Sequence, residues 1–195
     1  MLNSALNTIC DEHRSLGAVV RGLRHLSGKY SCDGEVPDFA LLHAILAYLD
    51  EFPNKRHHPK EEAYLFARLQ ARTDRADDLI RRLKGQHAEE AGHFEALRAA
   101  VGNFERNAAD VAGFSVAVAA YSCHVLRHIA LEESDLIPLA LAHLTGEDWV
   151  AIGAAFGENG DPRFAEDSAQ DHTDLFRRLV RLTPPGTGAD LNAYG

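Results

Sequence analysis

HHPKEEAYLF, residues 57–66, sets two histidines beside a proline and two glutamates. Residues four apart share a helix face, so the stretch offers two overlapping pairs, His57 with Glu61 and His58 with Glu62. A second stretch, HIALEESDLIP at 128–138, repeats the pattern. Aligned on the double glutamate, His57 matches His128, Glu61 matches Glu132 and Leu65 matches Leu136, in the shared form H-x-x-x-E-E-x-x-L-[FI]. The repeat favours His57 with Glu61 and leaves His58 and Glu62 as outward or supporting companions.

Outward from these stretches the chain reads as helix. Alanine and leucine dominate, β-branched runs are scarce, and apolar positions recur at helical spacing. The first segment, about 3–27, carries Leu6, Ile9, His13, Leu16, Val20 and Leu23 on one stripe, and Ser27-Gly28 is its expected end. After the turn-rich YSCDGEVPD, Asp38 is a candidate cap for a second helix through ALLHAILAYLDEF. Pro53 and Pro59 predict a kink or a fresh start beside the histidines, because proline lacks an N–H and crowds the preceding turn. A third helix is expected at about 76–105, with Leu83, His87, Glu90, Phe94, Leu97 and Val101 inward. A fourth is expected at about 110–143, with Phe114, Val118, Tyr121, Val125, His128, Glu132 and Leu136 near one face. Two shorter helices are expected at about 147–156 and 164–182.

Four long amphipathic helices with short loops predict an all-α, up-down-up-down four-helix bundle. The expected organisation is the bundle over 1–143, a helical extension packed on it over 144–183, and a flexible tail over 184–195.

Composition narrows the function. The net charge of −9 argues against a broad nucleic-acid surface, and Arg177, Arg178 and Arg181 read as a solvated helix face among acidic neighbours. Three cysteines without CxxC spacing point to a reducing compartment rather than a disulfide framework. The N-terminus lacks a signal peptide's basic start and apolar run, and no apolar stretch reads as a bilayer span. The expected location is the cytoplasm.

Ionisable residues on apolar stripes are the remaining signal. A buried imidazole or carboxylate is costly unless paired or metal-bound. One such histidine is ordinarily a satisfied core residue, yet all four long helices carry at least one. Two glutamates on facing helices can bridge two ions, with four histidines capping them. Imidazole and carboxylate together suit iron, manganese or zinc, and carboxylate bridges in a bundle favour di-iron or di-manganese.

The chain resembles the hemerythrin-like, HHE cation-binding proteins over about residues 4–143. The resemblance lies in DEHRSL, DEFPNKRHHPKEEAYLF, KGQH and HVLRHIALEESDLIP, in that order. It implies His13, His57, Glu61, His87, His128 and Glu132 as metal ligands, holding two non-haem irons bridged by Glu61 and Glu132, with manganese or zinc as lesser fits. Oxygen-carrying hemerythrins have a fifth histidine one turn after the third-helix ligand; here that position is Ala91. The difference implies a four-histidine site with an open position and argues against simple reversible oxygen carriage. His124 is a candidate replacement ligand, Glu90 a candidate acceptor for a ligand's other N–H, and Tyr64 and Tyr121 candidate hydrogen-bonding or gating groups. Cys123 is expected to be inert and buried. The functional expectation is a binder or sensor of O2, NO, peroxide or iron. The alternative is a di-iron redox enzyme that reduces NO or peroxide or donates iron for iron–sulfur repair. A homodimer or a signalling or redox partner fits either.

Overall fold

The computed structural model describes residues 2–157 together with Arg178 and Leu179. Among the described residues every regular element is helical and there is no strand. Helix α1 (Leu2–Gly28) buries the expected stripe of Ile9, His13, Leu16, Val20 and Leu23. Ser27-Gly28 does not end it. Gly28 keeps right-handed helical dihedrals, and a widened turn carries the chain through Lys29–Asp33. The stop falls at Gly34, whose φ of 65° is left-handed, a conformation glycine adopts without steric cost.

Asp38 caps the second helix as expected, its carboxylate accepting the Leu41 N–H at 2.9 Å. That helix passes through α2 (Phe39–Phe52), α3 (His58–Lys60) and α4 (Ala67–Arg72). The prolines do not break it. Two widened turns, Pro53–His57 and Glu61–Phe66, join its three parts while the residues flanking them stay right-handed. Helix α5 (Asp77–Arg106) is straightforward and lies within a residue of its expected bounds. Helix α6 (Val111–Leu131) passes through a widened turn, Glu132–Leu136, into α7 (Ile137–His143). The two glutamates aligned in the sequence repeat therefore each open a widened turn, a feature that concentrates at functional sites in helices.

The run 108–143 is long and apolar enough, by length and composition, to cross a membrane, contrary to the expectation from sequence. Here it is the fourth helix of the bundle, and Phe114, Val118, Tyr121 and Val125 are buried against the other three.

The core is split in two. One apolar cluster holds Leu16–Leu26 of α1, Leu41–Phe52 of α2, Phe94–Phe104 of α5 and Phe114–Val125 of α6. The other holds Ile9, Leu65–Leu69, Ile80–Leu83 and Leu136–Ala140, with Trp149, Ile152 and Phe156 of α8 (Gly146–Gly157). Along successive long helices the cluster order reverses, as up-down-up-down topology requires. On every helix the changeover falls at the expected histidine: His13, His57, His87 and His128 form a polar layer between two apolar halves.

Helix α8 lies on α1, where a Cβ on Gly153 would meet Ala5 at 3.4 Å. Leu179 joins the first cluster so closely that a Cβ on Gly22 would fall 2.8 Å from its side chain. The rest of the expected helix at 164–182 and the expected flexible tail lie outside the described residues.

Candidate metal centre

All six sequence-predicted ligands meet in the polar layer. Two groups of side chains bring their donor atoms within 4.8 Å of one another. The first is His13, His57, Glu61 and Glu132; the second is His58, Glu61, His87 and His128. Glu61 belongs to both, with Oε1 3.4 Å from His57 Nε2 and Oε2 3.6 Å from His87 Nε2. Glu132 likewise spans two imidazoles, with Oε2 3.2 Å from His13 Nε2 and Oε1 3.4 Å from His128 Nε2.

Each of these four imidazoles is gripped from behind. Nδ1 of His57 donates to Glu12 at 2.7 Å and that of His87 to Glu62 at 2.8 Å. Nδ1 of His128 donates to Gln86 at 3.0 Å and that of His13 to Glu133 at 3.2 Å. With the proton on Nδ1, the lone pair is on Nε2, facing the centre. Glu62 was expected as an outward or supporting companion; Glu133, Glu12 and Gln86 were given no part in the site. Glu12 and Gln86 each directly precede a ligand histidine, and that adjacency was the available signal.

The arrangement has an internal twofold. His13 and His87, His57 and His128, Glu61 and Glu132, Glu62 and Glu133, and Glu12 and Gln86 play matching parts. The symmetry breaks on the α5–α6 side. His58, whose mate is Ile129, is buried rather than outward, and its ring stacks on His87 at 4.0 Å. Buried Glu90, whose mate is Leu16, accepts from Tyr121 Oη at 3.1 Å and lies 3.8 Å from His58 Nε2. His58 therefore corrects the expectation: it is a seventh potential ligand. His124 is not one, since its Nε2 bonds the Gln86 carbonyl at 3.0 Å. Tyr64 is exposed and lies under Arg68, and Cys123 is exposed rather than buried.

Electrostatics separate the halves further. Burial disfavours a charged His13, but the neighbouring carboxylates of Glu132, Glu133 and Glu61 outweigh it and hold the imidazole well above its ordinary range. Burial is likewise outweighed at His57, by Glu61 and Glu12, and its pKa is raised. On the other side burial pushes His128 down to about 3, with Glu132 opposing, and pushes His58 well below its usual value, with help from His87. Burial of Glu132 is overcome by His13 and His128, which hold it at about 2. Burial lifts Glu90 to about 7 against the pull of the Tyr121 hydrogen bond.

These residues fit a metal. Both oxygens of Glu61, both of Glu132, and His58 Nε2 are buried without a hydrogen-bond partner, each at a cost of order 1–3 kcal/mol if left so. The Nε2 atoms of His13 and His57 are 3.2 Å apart, and those of His87 and His128 3.1 Å. Two lone pairs at that distance repel unless a proton or a cation stands between them. Nitrogen and carboxylate donors suit iron, manganese or zinc.

The sequence profile of the hemerythrin HHE cation binding domain matches residues 4–140. The chain belongs to the hemerythrin HHE cation-binding family. Neither a curated protein nor a solved structure matches it. Cation binding is the property the family implies, and the two His/Glu groups supply donors for it.

Proposed function

We propose that the polar layer holds a non-haem di-iron centre bridged by Glu61 and Glu132, and that this centre binds or senses O2, NO, peroxide or iron. The observation that carries the reading is the sharing of Glu61 between the two groups, each of its oxygens free of hydrogen bonds and close to a different imidazole. A carboxylate so placed joins two ions rather than serving one, and bridging carboxylates in a bundle are the ligation of di-iron and di-manganese proteins. Manganese and zinc are the less favoured occupants of the same donors. Iron in this setting supplies reversible redox change and affinity for small ligands. The protein's part is to fix the donors: Glu12, Glu62, Gln86 and Glu133 aim the imidazoles, while the two apolar clusters pack on either side of the layer.

Metal analysis with visible absorption tests the proposal. Two irons per chain with ligand-dependent spectra support it; one zinc, or no metal from iron-replete expression, sinks it. Free Cys10, Cys32 and Cys123 support a cytoplasmic setting.

A second reading, a redox enzyme acting on NO or peroxide, is favoured by one feature. Glu90, with Tyr121 on one oxygen and His58 near the other, is a buried carboxyl that can hold or release a proton beside the centre near neutral pH. Turnover by the iron-loaded protein, reduced in Glu90→Gln at unchanged metal content, would establish the enzyme. No turnover would leave a binder or sensor.

A further inference from the structure

We propose that the cavity between the second helix and α5 is the route by which a divalent cation enters the centre, with His58 as the first buried imidazole it meets. The inference rests on the metal-binding reading above and adds where loading takes place. The cavity has a volume of about 660 Å³ and reaches from solvent to His58 and His87.

Its outer wall carries the carboxylates of Asp50, Glu62 and Glu95, all substantially exposed. Asp50 pairs with Lys55 at 2.6 Å and Glu95 with Arg98. Exposed ion pairs of this kind are weak, so either carboxylate can exchange its side-chain cation for an arriving ion. Lys84 also lines the cavity, so three lining carboxylates face one lining cation, with Lys55 and Arg98 held at the rim in weak exposed pairs. A cleft whose lining carboxylates outnumber its lining cations favours the arrival of cations. Further in, Glu62 links outside to inside, because the same carboxylate holds Nδ1 of His87.

The inner wall gives the second, independent observation. His58 is 5 % exposed, and its Nε2 is buried without a hydrogen-bond partner. A buried imidazole nitrogen without a hydrogen-bond partner, at the bottom of a cavity lined by carboxylates, is a cation acceptor. It belongs to the group that includes Glu61, His87 and His128, so an ion taken up there is already in the centre. The opening exists because Ala88 and Ala91 present only methyl groups on the α5 side. The twofold mate of His58 is Ile129, which offers no donor. Loading is therefore one-sided in a centre whose inner ligands are otherwise nearly symmetric.

The test is stopped-flow uptake of cobalt(II) by the metal-free full chain, followed by its visible absorption, with metal content measured at the end. Ala91→Phe blocks the cavity from an exposed position; Ala120→Phe, on the exposed face of α6, is the control. Ala91→Phe should slow uptake on the order of tenfold and the control should not, with the same final cobalt content in both. The double variant Asp50→Asn/Glu95→Gln removes charge without blocking. It should load several-fold more slowly at low salt and converge with wild type at high salt, as expected where steering supplies roughly 10-fold or more in rate. Wild-type rates in Ala91→Phe would overturn the route, and a wild-type rate at low salt in the charge variant would overturn its assignment to cations. If the wild-type chain takes up no cobalt or iron at all, the metal-binding reading itself falls. Normal loading with unslowed variants removes only the route.

Discussion

The residues that aim the candidate ligands matter as much as those ligands do. A histidine whose Nδ1 is held keeps its lone pair on Nε2, and loss of such a partner commonly weakens metal affinity by about 10–100-fold. Glu12→Ala and Gln86→Ala should each weaken binding by that order while leaving every ligand in place, measured by competition with a chromophoric chelator. Unchanged affinity in both would show that the cross-helix hydrogen bonds do not set the site. Tyr121→Phe makes a separate prediction. It leaves the buried Glu90 Oε1 without its donor, which should cost about 1–3 kcal/mol in denaturant unfolding; a change under a few tenths would sink it. The meeting of the six candidate ligands was legible because each lies on the apolar stripe of its own helix and because the second stretch duplicates the first. Their supports were not, since each hydrogen bond joins different helices, as Glu12 does with His57 across 45 residues. His58 was misread because four-residue spacing assumes an ordinary turn. The widened turns on both sides of it add a residue to the turn and change which side chains point inward.

At the scale of elements, helix positions followed from apolar periodicity, while ends and irregular turns followed from chemistry that periodicity does not carry. Gly28 was the expected stop in sequence; the left-handed glycine is Gly34. The start of α8 shows what a complete end looks like. Thr145 Oγ1 accepts from the Asp148 N–H at 3.3 Å, and Asp148 Oδ2 accepts the Thr145 N–H at 2.9 Å, a reciprocal capping box. Asp148 also takes the Arg72 guanidinium at 2.9 Å, which ties α8 to α4. Asp148→Ala should therefore destabilise the chain by roughly 1–2 kcal/mol. The hydrogen bond from Arg72, opposed by burial and aided by Thr145, holds the Asp148 carboxyl well below its ordinary range. A depressed folded-state pKa gives stability that is complete above the unfolded value of about 3.9 and is lost as pH falls through the folded value. The gap between wild type and Asp148→Ala should stay constant from neutral pH down to about 4 and shrink below it. A gap that narrows between pH 7 and 5 would place the effect elsewhere.

At the scale of the molecule, the fold is an apolar bundle interrupted by one charged layer, and each fact explains the other. The up-down-up-down order brings a histidine from each long helix to the same height, because every helix changes cluster at that residue. That topology could be read from helix count and loop length alone; the matching heights could not, since they depend on where each helix starts. Without metal the layer is a liability, with four carboxylate oxygens and the His58 nitrogen buried in the middle of the core without a hydrogen bond. With metal those atoms become bonds available only to the folded chain. A ligand that binds only the native state stabilises it by about 2.7 kcal/mol when its free concentration is a hundred times Kd. For a domain near this size that corresponds to a rise in Tm on the order of 5–10 °C. Calorimetry of the iron-loaded protein and of the same preparation after chelation should show at least that difference. His13→Ala, which takes a donor from one group only, should lose part of it, and Glu61→Ala, which takes one from both groups, should lose nearly all. Equal melting temperatures with and without metal would mean that the layer is held by protons and ion pairs alone.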